Sequence, residues 1–158
     1  MAPVVRASCD LMVNRSHNTK AIGQILNHPR VYGMVSDDCS PDPFLPPEGG
    51  FYIVNDAETG VVRLDQAGAM TCAAHIATLP VMRGKAKMFV KDALDWGFQN
   101  TLYTKVIALI PEFNRLSIKL CADCGFSREG ISTKSFLKNW KMHDQILFGI
   151  TKTEFYGG

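Results

Sequence analysis

Residues 70–98, MTCAAHIATLPVMRGKAKMFVKDALDWGF, decide how the chain folds. Residues 70–79 are mostly small and apolar, with Gly68 before them and Pro80 after, which suits a buried strand. From Lys87 onward Phe89, Val90, Ala93, Leu94, Trp96 and Gly97 fall on one helical face, and Lys87, Lys91, Asp92 and Asp95 take the other. Between strand and helix lies the basic turn Pro80-Val81-Met82-Arg83-Gly84-Lys85-Ala86. The first N–H groups of a helix have no partner within it, and the helix dipole adds partial positive charge at that end. A strand feeding such a turn therefore suits an anion, above all a pyrophosphate. Gly84 lets a ligand approach the main chain, and Arg83 and Lys85 add full charges at the same point. The plain alternative is a strand–helix turn with a solvated basic tip.

The flanking segments predict the rest of the domain. Residues 50–56 (GFYIVND) and 61–65 (VVRLD) are two strands joined by a turn at 57–60, and 66–68 turn into the central strand. Residues 36–50 (SDDCSPDPFLPPEGG) hold four of the eight prolines and form a loop, long enough for a lid or a substrate-side wall or simply a surface connection. Residues 18–27 place Ile22, Ile25 and Leu26 at helical spacing, and His28-Pro29 ends that helix because a residue before proline avoids the helical region. Residues 31–35 are a short apolar piece, and 3–8 (PVVRAS) read as an opening strand. Downstream, 101–110 (TLYTKVIALI) predict another strand. Residues 114–124 then form a second helix with Leu116, Ile118 and Leu120 inward and Gly125 as its stop. Residues 126–131 read as a strand, 132–141 as a loop and 143–152 as the last strand. The order β, α, ββ, β, α, β, α, β, β implies a mixed α/β domain.

The 158 residues suit one domain, 1–158, with a real core. Seventeen Lys and Arg against 15 Asp and Glu leave a charge of +2, too balanced for a nucleic-acid footprint. No apolar run is long enough for a membrane helix, and residues 1–15 lack the basic-then-apolar order of a secretory signal, so the expected compartment is the cytoplasm. Five unevenly spaced cysteines argue for free thiols in a reducing compartment. Cys121 and Cys124 form a C-x-x-C without a second pair or a nearby His, so no metal site is expected.

Two stretches together resemble the GNAT-type acyl-CoA N-acetyltransferases. Val81-Met82-Arg83-Gly84-Lys85-Ala86 resembles the family's Q/R-x-x-G-x-G/A cofactor motif, with Gly84 and Ala86 in place and Val81 departing from the first position. Residues 114–126 resemble the N-x-x-A/S-x-x-L-Y-x-x-x-G-F helix, and Glu129-Gly130 and Asp144 follow. The similarity runs over residues 51–150, roughly two-thirds of the chain. It implies a mixed, mostly antiparallel sheet flanked by helices, with a splayed central parallel strand pair. It also implies acetyl-CoA as cofactor. The amides of Met82, Arg83, Gly84, Lys85, Ala86 and Lys87 would then hold the pyrophosphate. The strand from His75 to Leu79, Ile76 included, would run beside the pantetheine arm and bond it through the main chain, and Asn114 and Ser117 would meet that arm from the second helix.

The resemblance also frames the chemistry, an acetyl transfer to a primary amine by direct attack. The family's tyrosine acid falls at Cys121, which either gives a proton to the leaving thiolate or is a small, inert packing side chain. His75 is the titratable side chain on the central strand and can act as the base, the alternative being a satisfied packing residue. His143 and Asp144 either line the cleft or sit on a surface turn, and Trp140 can cap a pocket or a subunit interface. Asp37, Asp38 and Asp42 either draw a cationic acceptor, a small molecule or a protein amine, or are solvated loop acids. Residues 74–86, Ser135-Phe136 and Gly149-Ile150-Thr151 further resemble GNAT-like proteins of tailed bacteriophages. That similarity implies a second possibility: a catalytically inactive structural or interaction protein, virion-associated, with a homo-oligomeric or phage structural partner.

Overall fold

A computed structural model describes residues 12–157. Its elements are β1 (Val13–Ser16), α1 (Thr19–Leu26), α2 (Pro29–Val35), β2 (Phe51–Asn55), β3 (Gly60–Gln66) and β4 (Thr71–Thr78). A 3-10 turn (Pro80–Met82) leads into α3 (Ala86–Asn100), followed by β5 (Lys105–Pro111), α4 (Arg115–Asp123), β6 (Ser127–Lys138), β7 (Lys141–Thr151) and α5 (Lys152–Phe155). The strands form one sheet in the order β1-β2-β3-β4-β5-β7-β6. Every neighbouring pair is antiparallel except β4 and β5, which run parallel. This is the mixed, mostly antiparallel sheet that the resemblance implies.

The central pair is joined only briefly. Thr71, Cys72 and Ala73 pair with Lys105, Val106 and Ile107, and there the ladder ends. Beyond it β4 stays bonded to β3 as far as Thr78, and β5 to β7 as far as Pro111. Each strand keeps its outer partner while a wedge opens between them, which is the expected splay.

Helices cover both faces, so the middle strands carry near-continuous apolar runs instead of an alternation. On one face Phe89, Val90, Leu94 and Phe98 of α3 pack with Ile53, Val62, Leu64 and Val106. On the other, Ile22 and Ile25 of α1 and Val31 of α2 close over Tyr52, Val54, Val61 and Ala77. Among the described residues no helix is long and apolar enough to cross a membrane.

Local signals explain most boundaries. Asn18 caps α1 by accepting the Ala21 N–H, and Asn114 caps α4 by accepting the Ser117 N–H. His28-Pro29 does end α1, but it also starts α2: Pro29 needs no N–H partner in a first turn, and the His28 ring accepts the Arg30 N–H. Residues 31–35 are therefore helix, not merely an apolar piece.

One further expectation lies outside the described residues, and one changes. The strand expected at 3–8 lies outside the described residues, and the first strand within them is the polar edge strand β1, paired with β2. Residues 132–138 continue β6, where a loop was expected, and meet β7 through a tight turn at Asn139 and Trp140, both at positive φ (52° and 60°). Register shifts between Arg128 and Gly130 and between Ser132 and Phe136 interrupt the ladder. They break the period-2 pattern by which a strand is recognised.

Candidate active site

The wedge is a cleft of about 400 Å³. Ala74, His75, Ile76 and Ala77 of β4 form one wall, and residues 108–111 of β5 form the other. Asn114, Ser117 and Cys121 of α4 line one side of it, and Tyr32 and Val35 of α2 line the opposite side with Phe44 of the 36–50 loop.

That loop is a fixed wall. Asn27 holds Phe44 at both main-chain groups, donating to its carbonyl (2.8 Å) and accepting its N–H (2.7 Å). Lys138 donates to the Ser36 carbonyl at 2.8 Å. Asp38 accepts the N–H groups of Asn139 (3.0 Å) and Trp140 (2.8 Å), tying the loop to the β6–β7 turn. The Trp140 N–H first, then that of Asn139 and the charge of Lys138, hold the Asp38 carboxyl below its ordinary pKa. Asp37 accepts from the Cys39 N–H and the Ser40 hydroxyl. Asp37 and Asp38 thus organise the loop, and none of Asp37, Asp38 and Asp42, the three acids expected to draw a cationic acceptor, lines the cleft. Trp140 sits at the hairpin tip, 88% exposed, and does not cap the cleft.

At the far end of β4 the chain turns into α3. The N–H of Met82 bonds to Leu79, that of Arg83 to Pro80 and that of Lys85 to Met82, so these three amides are used inside the turn. This narrows the set that the motif implied. The first α3 bond runs from the Phe89 N–H to the Lys85 carbonyl, which puts Ala86, Lys87 and Met88 in the unbonded first turn. Lys85 supplies no side-chain cap. Gly84 holds φ +83°, and a Cβ there would project into open space. Arg83, Lys85 and Lys87 are exposed around this end, which is the arrangement an anion needs.

On α4, Asn114 is buried and Ser117 half-buried, both at the cleft. The Cys121 thiol is buried beside them, and burial first, then neighbouring Cys124, pushes its pKa up to about 12. Cys39, Cys72, Cys121 and Cys124 are all free.

His75 is on β4 two residues past the last residue paired with β5. Its Nε2 lies 3.1 Å from Asp65 Oδ2, and the same carboxylate takes Arg63 through Nε (3.1 Å) and Nη2 (3.0 Å). Partial desolvation in the cleft wall, with the Arg63 guanidinium next, lowers the His75 pKa against the upward pull of Asp65. The ring is thus kept neutral near pH 7. Its Nε2–H donates to Asp65, leaving Nδ1 as the nitrogen able to take a proton. His143 instead packs edge-on against Phe113 at 4.7 Å, with Nδ1 3.3 Å from Glu112 Oε1, and Asp144 accepts the Lys134 N–H. Neither lines the cleft.

No protein-family model matches the chain. Over 83 residues it is 34% identical to the SPbeta prophage-derived uncharacterized N-acetyltransferase YokL of Bacillus subtilis (strain 168). That match takes in 51% of this chain and 47% of YokL, so the chain spans about half the length of this relative. Among solved structures it is similar to a spermidine N-acetyltransferase from Vibrio cholerae in complex with CoA and spermine, with a TM-score of 0.71 and 16% identity over 92% of this chain and 99% of that one. A ribosomal-protein-S5-alanine acetyltransferase from Vibrio fischeri gives 0.70 and 19%, covering 90% and 93%. A putative acetyltransferase from Salmonella typhimurium with its cofactor acetyl-CoA gives 0.70 and 14%, covering 89% and 92%. The fold is that of the GNAT acetyltransferases.

Within this GNAT fold the sequence-predicted residues divide. His75, Ile76, Asn114, Ser117 and Cys121 meet in the cleft, while 82–87 form the turn at the end of β4. Sequence reasoning missed Arg63, Asp65 and the aromatic wall of Tyr32, Phe44 and Phe136. The register of the β3–β4 hairpin was the available signal for the first two: Arg63 sits opposite His75, and Asp65, two residues on, shares its face.

Proposed function

We propose that this chain transfers an acetyl group from acetyl-CoA to a primary amine. The observation that carries the reading is the parting of β4 from β5 beside an uncapped, basic helix N-terminus. The edge of β4 beyond Ala73 is free of strand pairing and can bond an extended arm through its main chain at Ile76, as the cofactor's pantetheine requires. The free amides of the α3 first turn, with Gly84 and the charges of Arg83, Lys85 and Lys87, match a pyrophosphate. Asn114 uses its carbonyl oxygen on the Ser117 N–H, so its amide NH₂ is the group offered to the arm. The neighbours described with acetyl-CoA or with CoA and spermine support the same donor and an amine acceptor.

Bound acetyl-CoA supplies an activated acetyl thioester. The chain's part is to hold the acceptor beside it and to manage one proton. Neutral His75 takes a proton from the acceptor ammonium, and the freed amine attacks the thioester carbonyl. The new C–N bond forms as the C–S bond breaks. The second amine proton leaves through His75 or water, and the thiolate is protonated by solvent. Cys121 is given a packing role rather than the acid's, because burial holds its proton and pushes its pKa up to about 12. Most of the acceleration comes from holding the two reactants in register.

Calorimetric titration with acetyl-CoA and with CoA tests the reading. Micromolar binding is expected, followed by acetylation in an amine screen. No binding at millimolar nucleotide would sink it and leave a GNAT-like module that works without catalysis.

A further inference from the structure

We infer that the acceptor is a primary amine on an apolar body, aromatic or aliphatic, with no second cationic group. The inference rests on the acetyl-transfer reading and names its substrate class. Among the described residues no Asp or Glu lines the cleft, and Arg63 and His75 are its only basic side chains. Asp42 and Glu48 of the 36–50 loop lie outside the cleft lining, and the acids nearest to it on the α2 side are engaged. Asp65 holds Arg63 and His75, Asp38 holds the hairpin turn, and Asp37 holds its own loop.

The hydroxyls on that side are engaged too. Tyr32 reaches the carbonyls of Ser40 (3.2 Å) and Pro41 (2.9 Å), and Tyr52 donates to Pro47 (3.3 Å). Ser36 donates to the Tyr32 carbonyl, and Ser40 bonds Asp37 (3.0 Å). What these residues present to a ligand is ring face and methylene. Leu26, Val35, Phe44 and Phe136 extend the same apolar surface.

A ligand with one amine leaves its charge at His75, where the proton is removed, and buries the rest favourably. A polyamine would bring a second ammonium into a surface without a free carboxylate and beside the Arg63 guanidinium, losing hydration for nothing. The cleft therefore selects against the ligand class seen in the spermine-bound neighbour. The apolar amine can be a free small molecule or the first residue of a polypeptide, since both present the same group.

The decisive pair is n-hexylamine and 1,6-diaminohexane, equal in length and differing by one ammonium. Each is titrated into the CoA-saturated protein and into the protein alone, and each is assayed with acetyl-CoA. Hexylamine is expected to bind, and to react by kcat/KM, at least 10-fold better. Phenethylamine and a Phe-initiated peptide amide, run beside it, tell the free-amine source from the polypeptide source. Val35→Glu, at a half-exposed cleft position, places a carboxylate in the wall and should shift the ratio at least 10-fold toward the diamine. Equal or better binding of the diamine, or no binding of either amine at 10 mM concentrations, overturns the inference. Failure of CoA itself to bind would instead strike the donor reading, and the titrations without nucleotide would still rank the two amines.

Discussion

His75 Nε2 stands 3.1 Å from Asp65 Oδ2, across two strands and on the cleft face of the sheet. This contact fixes both the tautomer and the direction of a pH effect. The His75 pKa lies below its ordinary 6.5, so the ring is neutral and able to accept a proton at pH 7. Acetyl transfer should hold steady above that value and fall as pH drops through the lowered pKa. His75→Ala is expected to reduce kcat/KM by about 10²-fold or more and to abolish this acid limb. Asp65→Asn removes a charge that raises the pKa, so the limb should move to lower pH. An acid limb that survives unchanged in His75→Ala would assign it to another group.

Thiol chemistry separates Cys121 from a catalytic acid. Burial lifts Cys72 to about 11 and Cys121 to about 12 and raises Cys124, while Cys39 is exposed. At pH 8 only roughly one Cys121 in ten thousand is thiolate, and the thiolate is the reactive form. Among these four, iodoacetamide on the native protein should label Cys39 and leave the others until denaturant is added, as peptide mass spectrometry would read. Cys121→Ala should keep kcat within a few-fold. A hundredfold loss in kcat with unchanged stability would restore the acid role.

How much was legible follows from where the signals are local. The central strand and α3 announce themselves through apolar spacing, Pro80 and Gly84, and α4 through its Asn114 cap and Gly125, whereas Leu116, expected inward, is exposed and Cys121 is the buried residue of that helix. β1 is a polar edge strand whose partner lies far along the chain, and the β6 extension, though it folds straight back on β7, is polar and interrupted by register shifts, so no short window marks either. The Asn139-Trp140 turn lacks the usual glycine and is held by Asp38, about a hundred residues away in sequence. The acids at 37 and 38 looked like substrate attractors because their backbone partners are invisible without the fold. For the same reason Asp65 went unnoticed: its role exists only through the register that sets it diagonal to His75.

The Asp38 clamp has its own pH signature. Chiefly through the Trp140 N–H, its carboxyl is held below the ordinary 3.8, so the folded state favours the charged form. The contribution is complete above 3.8 and is lost as pH falls through the lowered value. Asp38→Ala should speed hydrogen exchange at the Asn139 and Trp140 amides at least 10-fold at pH 7. Asp38→Asn, which keeps one acceptor oxygen, should protect one of the two. Unchanged exchange in Asp38→Ala would mean that the turn holds itself.

Gly84 separates backbone strain from ligand contact. Its φ of +83° is disfavoured for any other residue by roughly 1 kcal/mol, yet a Cβ there would meet no protein atom within 4 Å. Gly84→Ala should therefore lower stability by only about that much, read as a small shift in the denaturation midpoint. The same methyl enters the open space at the turn assigned to the pyrophosphate, so acetyl-CoA affinity should drop at least 10-fold, and Gly84→Glu should abolish it by charge. Gly33, in α2, also has open space around its would-be Cβ but has no positive φ. Gly33→Ala should stabilise the protein by roughly 0.5–1 kcal/mol and leave acetyl-CoA binding alone. If Gly84→Ala binds acetyl-CoA as the unaltered protein does, the anion is held elsewhere and the α3 N-terminus is only a turn.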